Sequence, residues 1–286
     1  MKRSDNNLTL GLSSCPNDTF IFFGLLHGRV DLPCSFSYCM ADVEDLNRKI
    51  LEESLDCSKV SHHLYGQVTD KYIMLRAGHA LGRGCGPLLL ARKPAGIMDN
   101  TKSSIAVPGR HTTAALLLHL FFPDHKNLVE MNFSKIPEAI ARGDVDGGVI
   151  IHESRFTYQA LDLVCIQDLG QWWESETGLP IPLGGIAARR SLGTNMLRKI
   201  DSAIRASIEY AYENPDDTIR FVKRHAQEMS CSIMHKHIAL YVNQFTLDIG
   251  REGEKALEYL LELGRQKGVF PGKKKKGLPV VLPASV

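Results

Sequence analysis

Short apolar runs alternate with amphipathic stretches along the first part of the chain. Three of the runs have the length and spacing of β-strands: LTLGL (8–12), CSFSYCM (34–40) and DCSKVS (56–61). Between them, residues 19–28 and 42–54 predict helices, the first almost wholly apolar and the second amphipathic. Alternating strands and helices predict an α/β fold with a mainly parallel sheet.

The same alternation starts again at residues 103–109 (SSIAVPG) and continues as far as the apolar run of residues 146–153 (DGGVIIHE). The remainder has helical spacing, with four predicted helices: 192–214, 215–230, 232–245 and 252–268. An alternation of strands and helices that starts a second time, after which the chain returns to its first part, predicts two lobes. We expect residues 1–92 and 188–286 to form one lobe and residues 93–187 to form the other.

Two short segments resemble each other, one in each predicted lobe. Asp56–Ser61 and Asp146–Ile151 both follow a helix, both have strand-like spacing, and both lead into polar residues that include histidine. In an α/β sheet the carboxyl ends of the strands form the usual binding edge. We therefore expect these two strand ends to face each other across a cleft between the lobes.

Composition and charge restrict the classes of function. The 286 residues carry a formal charge of +2, which gives no sign of a nucleic-acid-binding protein. Seven cysteines without a C-x-x-C pair suit reduced thiols, and no recognisable metal motif is present. Without an apolar signal region or a membrane-spanning run, we expect a cytoplasmic protein. The basic run Lys273–Lys276 is interpreted as a solvated tail.

Two loops that precede helices carry candidate ligand-binding groups. In SSCPNDTFIF, Asp18 and Thr19 can cap a helix or point into a cleft, and the sequence alone favours capping. In PGRHTTAALLL, Thr112 or Thr113 caps a helix, and the pair with Arg110 could hold a carboxylate. The glycine-rich GHALGRGCGP is followed by a strand instead of a helix, which excludes a dinucleotide fingerprint and predicts a loop at the cleft.

His152 is the best candidate for acid–base chemistry. It follows the apolar residues VII at a predicted strand end, and an imidazole can exchange a proton near neutral pH. A lone histidine in such a position is more often structural than catalytic. From the residues alone, both interpretations stay open.

Five motifs, in this order and spacing, resemble the 1,4-dihydroxy-6-naphthoate synthases of the futalosine route to menaquinone. They are SSCPNDTFIF, SKVSHHLYG, GHALGRGCGPLL, PGRHTTAALLL and GGVIIHESRFTY, and they span about residues 8 to 190. The resemblance implies a two-lobed α/β fold like that of type II periplasmic binding proteins, with a central cleft and a helical C-terminal region. It also implies conversion of cyclic dehypoxanthine futalosine to 1,4-dihydroxy-6-naphthoate and dihydroxyacetone, without a metal or other cofactor.

The family's site residues carry over onto matching positions of this chain. The resemblance implies His152 as the general base and these substrate-binding residues: Asp18, Lys59, Val60, Ser61, Thr112 and Thr113. It also modifies the interpretation of Asp18, which we expect both to cap its helix and to face the cleft. The alternative is a non-catalytic binding protein or sensor of the same fold that holds a small carboxylate ligand.

Overall fold

The computed structural model describes residues 7–32, 34–94, 96–97, 100–226, 230–270 and 278–284. The described chain contains two β-sheets with helices packed around them. The predicted solvated tail at 273–276 lies outside the described residues. Among the described residues, no helix combines the length and the apolar character needed to cross a membrane.

The first sheet has six strands in the order β2-β1-β3-β11-β4, and β5 also pairs with β11. β1 runs parallel to β2 and β3, whereas β11 runs antiparallel to β3, β4 and β5. Its strands are β1 (Asn7–Leu12), β2 (Ser35–Met40), β3 (Cys57–Ser61), β4 (Tyr72–Met74), β5 (Ala80–Gly82) and β11 (Ile181–Arg189).

The second sheet has five strands in the order β10-β6-β9-β7-β8. β7 runs parallel to β8 and β9, and β6 runs antiparallel to β9 and β10. Its strands are β6 (Leu88–Ala91), β7 (Ile105–Val107), β8 (Leu128–Glu130), β9 (Gly147–Ile150) and β10 (Val164–Asp168). β3 and β9, the two strands of similar sequence, each lie inside their own sheet.

The helices that the sequence pattern predicts are present close to the predicted positions. In the first part of the chain they are α1 (Pro16–Leu26), α2 (Val43–Leu51), α3 (His62–Val68), α4 (Thr113–Phe121), α5 (Ile136–Arg142) and α6 (Leu169–Thr177). The C-terminal helices are α7 (Gly193–Glu213), α8 (Pro215–His225), α9 (Cys231–Tyr241), α10 (Gln244–Leu247) and α11 (Gly250–Gln266). The four predicted C-terminal helices are therefore confirmed, with the short α10 in addition.

The strand pairing corrects the expected boundaries between the lobes. β6 pairs with β9 and β10 in the second sheet, although we assigned residues 1–92 to the first lobe. β11 pairs along its length with strands of the first sheet, although we assigned residues 93–187 to the second lobe. The chain therefore crosses between β5 and β6 and again between α6 and β11, several residues earlier than predicted each time.

Helix α1 is buried around most of its circumference, as its apolar sequence predicts. Its buried residues pack against α7, α8 and α9, which belong to the C-terminal helices. The predicted capping is wrong. The N-cap is Cys15, which makes no side-chain cap bond, and Thr19 donates its hydroxyl to the carbonyl oxygens of Cys15 and Pro16.

Two segments differ from the pattern-based prediction. The glycine-rich segment contains strand β5, which pairs with β11, where we expected a loop. The sequence LDLVCIQDLG (161–170) has the pattern of a strand and a turn, but its last two residues begin helix α6, whose N-cap Asp168 accepts bonds from the N–H groups of Gly170 and Gln171.

Candidate active site

A cavity with about 670 Å³ of empty space, its open mouth included, lies between the two sheets. Residues from both lobes line it, and its walls are mainly apolar. All seven sequence-predicted site residues are among them: Asp18, Lys59, Val60, Ser61, Thr112, Thr113 and His152. The fold thus brings together residues from the start of α1, the end of β3, the start of α4 and the end of β9.

A buried ion pair joins two of these residues at the base of the first lobe. The Lys59 Nζ lies 3.2 Å from the Asp18 Oδ1, and it also donates to the carbonyl oxygen of Gly78 at 3.2 Å. The other carboxylate oxygen of Asp18 accepts bonds from the backbone N–H and the hydroxyl of Ser13, at 3.0 and 2.8 Å. Asp18 therefore holds Lys59 in place at the cavity wall instead of capping α1.

Ser61 is the last residue of β3, and its side chain is fixed from α2. The Asn47 Oδ1 accepts from the backbone N–H of Ser61 at 3.0 Å, and the Asn47 Nδ2 donates to the Ser61 Oγ at 3.1 Å. Because Ser61 accepts this bond, its own hydroxyl proton remains available to a ligand. Val60 is fully buried. The backbone of Gly184 in β11 lies so close to the carbonyl oxygen of Val60 that any side chain at position 184 would clash with it.

Thr112 caps helix α4. Its Oγ1 accepts from the N–H of Ala115 at 3.3 Å and donates to the carbonyl oxygen of Gly109 at 2.7 Å. Because the Thr112 hydroxyl already donates one hydrogen bond and accepts another, the backbone N–H groups in the first turn of α4 are better placed than this hydroxyl to bind an anion. Arg110, which we expected near the ligand, instead forms an exposed ion pair with Glu130 and is absent from the described cavity lining.

Thr113 connects the two lobes. Its Oγ1 donates to the carbonyl oxygen of Leu183 in β11 at 2.5 Å and accepts from the N–H of His63 at 3.3 Å. The His63 Nδ1 lies 3.0 Å from the carbonyl oxygen of Thr112. Burial lowers the pKa of His63 to about 4, so its ring is neutral at physiological pH. Thr113 thus has a structural role in addition to its place at the cavity.

His152 lies two residues beyond the end of β9, at the start of a short 3-10 turn that ends at Phe156. Its backbone has a φ of +58°, a left-handed conformation that few residues with side chains adopt. The partly buried residue lines both the main cavity and a neighbouring pocket of about 360 Å³ that contains Asp42 and Glu153. His152 therefore forms part of the wall between the two spaces.

Two further polar contacts join the lobes. The His111 Nδ1 lies 2.6 Å from the Glu44 Oε1, and the Asn132 Nδ2 donates to the Asp42 Oδ2 at 2.9 Å. Burial raises the pKa of Asp42 above its ordinary value. These contacts join α2 of the first lobe to the loops after β7 and β8 of the second.

Other lining residues carried no recognisable motif in the sequence. Tyr241 reaches the cavity from α9, and Leu183 and Gly184 reach it from β11. Burial raises the pKa of the Tyr241 phenol and of the Cys15 thiol, and it raises the pKa of Cys85 to about 12. All three groups are therefore neutral near pH 7. Cys15 and Cys85 lie within two of the five motifs, whereas only its position in the fold connects Tyr241 with the site.

Comparison with known proteins places this cavity in context. The chain is 47% identical over 262 residues to the 1,4-dihydroxy-6-naphthoate synthase of Thermus thermophilus, across 92% of this chain and 95% of the relative. The solved structure of protein AF1704 from Archaeoglobus fulgidus has a TM-score of 0.87 and 34% identity, covering 93% of this chain and all of that one. The similarity to both proteins extends well beyond the motifs described above.

The predicted fold class is confirmed by more distant structures. The periplasmic aliphatic sulphonate binding protein SsuA from Escherichia coli superposes with a TM-score of 0.67 at 11% identity, covering 99% of this chain and 94% of that one. At this identity the likeness concerns the fold alone. The family model described as menaquinone biosynthesis matches residues 8–266. The chain therefore belongs to the menaquinone biosynthesis family, as its five motifs predicted.

Proposed function

We propose that this protein is a 1,4-dihydroxy-6-naphthoate synthase, a carbon–carbon lyase that acts on cyclic dehypoxanthine futalosine. Its products are 1,4-dihydroxy-6-naphthoate and dihydroxyacetone. Family membership and the high identity to a named synthase support the activity. Seven cysteines, all of them free thiols, support a cytoplasmic location.

Substrate binding is assigned to groups that the protein already holds in place. Lys59 has one ammonium N–H beyond those engaged by Asp18 and Gly78, and Ser61 has a free hydroxyl proton. The first turn of α4, at Thr113, adds backbone N–H groups and the positive end of the helix dipole. Together these donors suit the carboxylate and hydroxyl groups of the substrate.

One observation supports the assignment of His152 as the base: the other ionisable side chains at the cavity are either protonated near neutral pH or engaged in an ion pair. Burial keeps Cys15, Cys85 and Tyr241 protonated near neutral pH. Asp18 is engaged in the ion pair with Lys59. The remaining candidate is His152, the one imidazole among the described lining residues, and its ring makes no hydrogen bond to a described residue.

The proposed reaction needs a base, orientation and protection from water. His152 accepts a proton from the substrate, the carbon–carbon bond to the departing three-carbon unit breaks, and the remaining ring becomes aromatic. The imidazolium then returns a proton to the products, which regenerates the base and divides the atoms of the substrate between the two products. Aromatisation supplies driving force for the cleavage. The two lobes enclose the substrate, which holds it in position and excludes solvent.

Turnover of cyclic dehypoxanthine futalosine by wild-type protein and by His152→Asn tests the proposal. We expect wild type to release the naphthoate, and the variant to lose about 10²- to 10⁴-fold in turnover while it still binds substrate by calorimetry. His119→Asn is the matched control, because His119 lies on α4 and outside the cavity lining. The control is expected to keep wild-type turnover.

Two results would contradict the proposal at different levels. Wild-type protein that binds the cyclic substrate and returns it unchanged would be a binding protein of the same fold. Normal turnover by His152→Asn would retain the lyase activity but assign the base elsewhere, with Asp18 the first residue to examine.

A further inference from the structure

His237 on α9 is buried without any polar partner. Its residue surface is fully inaccessible, and neither ring nitrogen finds a hydrogen-bond partner among the described residues. Burial lowers the pKa of His237 well below its ordinary value, so the ring is neutral. A buried polar ring without hydrogen bonds lowers the stability of the fold, so a histidine at this position needs a compensating role.

Those contacts are with other rings. The His237 imidazole stacks on that of His152, with centroids 5.7 Å apart and planes at 24°. The Phe133 ring also contacts the His152 ring, at 4.9 Å and 60°. One helical turn beyond His237, Tyr241 of the cavity wall packs against it at 4.6 Å. The proposed base is thus in contact with two rings, neither of which is hydrogen-bonded to it.

The three residues reach this point from different parts of the fold. Phe133 follows β8 and His152 follows β9, both in the second lobe. His237 lies on α9, which packs on α1 and β5 of the first lobe and on the turn that begins at His152. The contact of His237 with His152 therefore crosses between the lobes.

We propose that Phe133 and His237 are positioning residues that hold the imidazole of His152 in its reactive orientation. This inference rests on the proposed role of His152 as the base. Ring contacts restrict rotation of the imidazole but leave its nitrogen lone pair free for a proton, which a hydrogen bond to that nitrogen would not. They also help to hold a residue whose left-handed backbone conformation is strained.

The test compares side chains that keep or remove the ring at position 237. His237→Phe keeps a flat ring, whereas His237→Leu keeps an apolar side chain without one. We expect the leucine variant to lose about 10- to 100-fold in kcat with KM changed by less than about threefold, since misplaced reacting groups lower the chemical step. The phenylalanine variant is expected to retain kcat within about threefold.

Two further variants complete the design. Phe133→Leu removes the other ring, and because Phe133 is only partly buried the fold tolerates its loss. It is expected to lower kcat as His237→Leu does. The matched control is His235→Phe, an exposed histidine on the same helix, which should leave kcat and KM as in wild type.

A measurement without turnover separates this inference from the proposed function. The ring resonance of His152 in NMR spectra, assigned by its loss in His152→Asn, should be single and sharp in wild type and in His237→Phe. It should shift or broaden in His237→Leu. An unchanged signal, wild-type kcat in the leucine variant, or equal losses in the leucine and phenylalanine variants would each overturn the positioning role. Wild-type protein without naphthoate formation would overturn only the activity.

Discussion

The ion pair between Asp18 and Lys59 allows a quantitative test of how the cavity is held together. Asp18→Asn preserves the size of the side chain but removes its charge. The amide cannot accept at both ends, although Asp18 accepts from Ser13 at one oxygen and contacts Lys59 at the other. Lys59, whose side chain is 8% exposed, would be left as a buried ammonium without a counter-ion.

The magnitude follows from distance and burial. Two unit charges 3.2 Å apart attract by about 5 kcal/mol at an effective dielectric constant of about 20. Desolvation offsets much of that attraction in the intact pair, but removal of one partner leaves the other's desolvation uncompensated. We expect the free energy of unfolding of Asp18→Asn to fall by about 3–5 kcal/mol, measured by urea denaturation.

A double-mutant cycle isolates the pair from general damage. Lys59→Met removes the cation, and the double variant should recover part of the loss, with a coupling energy of about 1–3 kcal/mol. Asp31→Asn, at an exposed carboxylate, is the matched control and should change stability by less than about 0.5 kcal/mol. A coupling energy below about 0.5 kcal/mol would refute the argument that these two charges stabilise each other.

Three further predictions concern the cavity wall and the buried histidines. Ser61→Ala should weaken binding of the cyclic substrate by about 2- to 13-fold in calorimetry, the equivalent of one hydrogen bond, and unchanged affinity would remove Ser61 from the site. Thr113→Val should lower the free energy of unfolding by about 1–3 kcal/mol or more, because Leu183 and His63 each lose a partner; wild-type urea stability would contradict this. Going from pH 7 to pH 5 should destabilise the protein by about 2 kcal/mol for each of His63 and His79. Their folded pKa values of about 4 lie below the unfolded value of 6.5, so the unfolded chain binds more protons and stability falls through that window. Thermal melting independent of pH between 5 and 7 would contradict the last prediction.

Local pattern was sufficient for much of the fold. The strands β3 and β9, the cap of α4 by Thr112 and the C-terminal helices were predictable because propensity, capping residues and apolar spacing agree at each of them. A strand end or a helix start places polar groups at the edge of a sheet, and this pointed to Asp18, the Thr112–Thr113 pair and His152. The binding roles of Lys59, Val60 and Ser61 were implied by the resemblance to known synthases.

The failures have a common physical origin in contacts distant along the chain. Nothing near β6 or β11 specifies which sheet the strand joins, since that depends on partners such as β9 and β3. Asp18 looked like a capping residue because its actual partner, Lys59, lies 41 positions further along the chain. In the same way His237 and Tyr241 occur in a helix without a recognisable motif, and only folding brings Tyr241 to the cavity and His237 against His152.

The binding groups of the cavity and its proposed base are held in place by different kinds of contact. Asp18, Ser61 and Thr113 are each fixed by hydrogen bonds to protein atoms, so their positions are set before a ligand arrives. Among the described residues no hydrogen bond is made to the ring of His152, which ring contacts hold instead. Binding groups keep one protonation state, so hydrogen bonds to them cost nothing during turnover. A base must change its protonation state in every cycle, and contacts with ring faces restrain it without opposing that change.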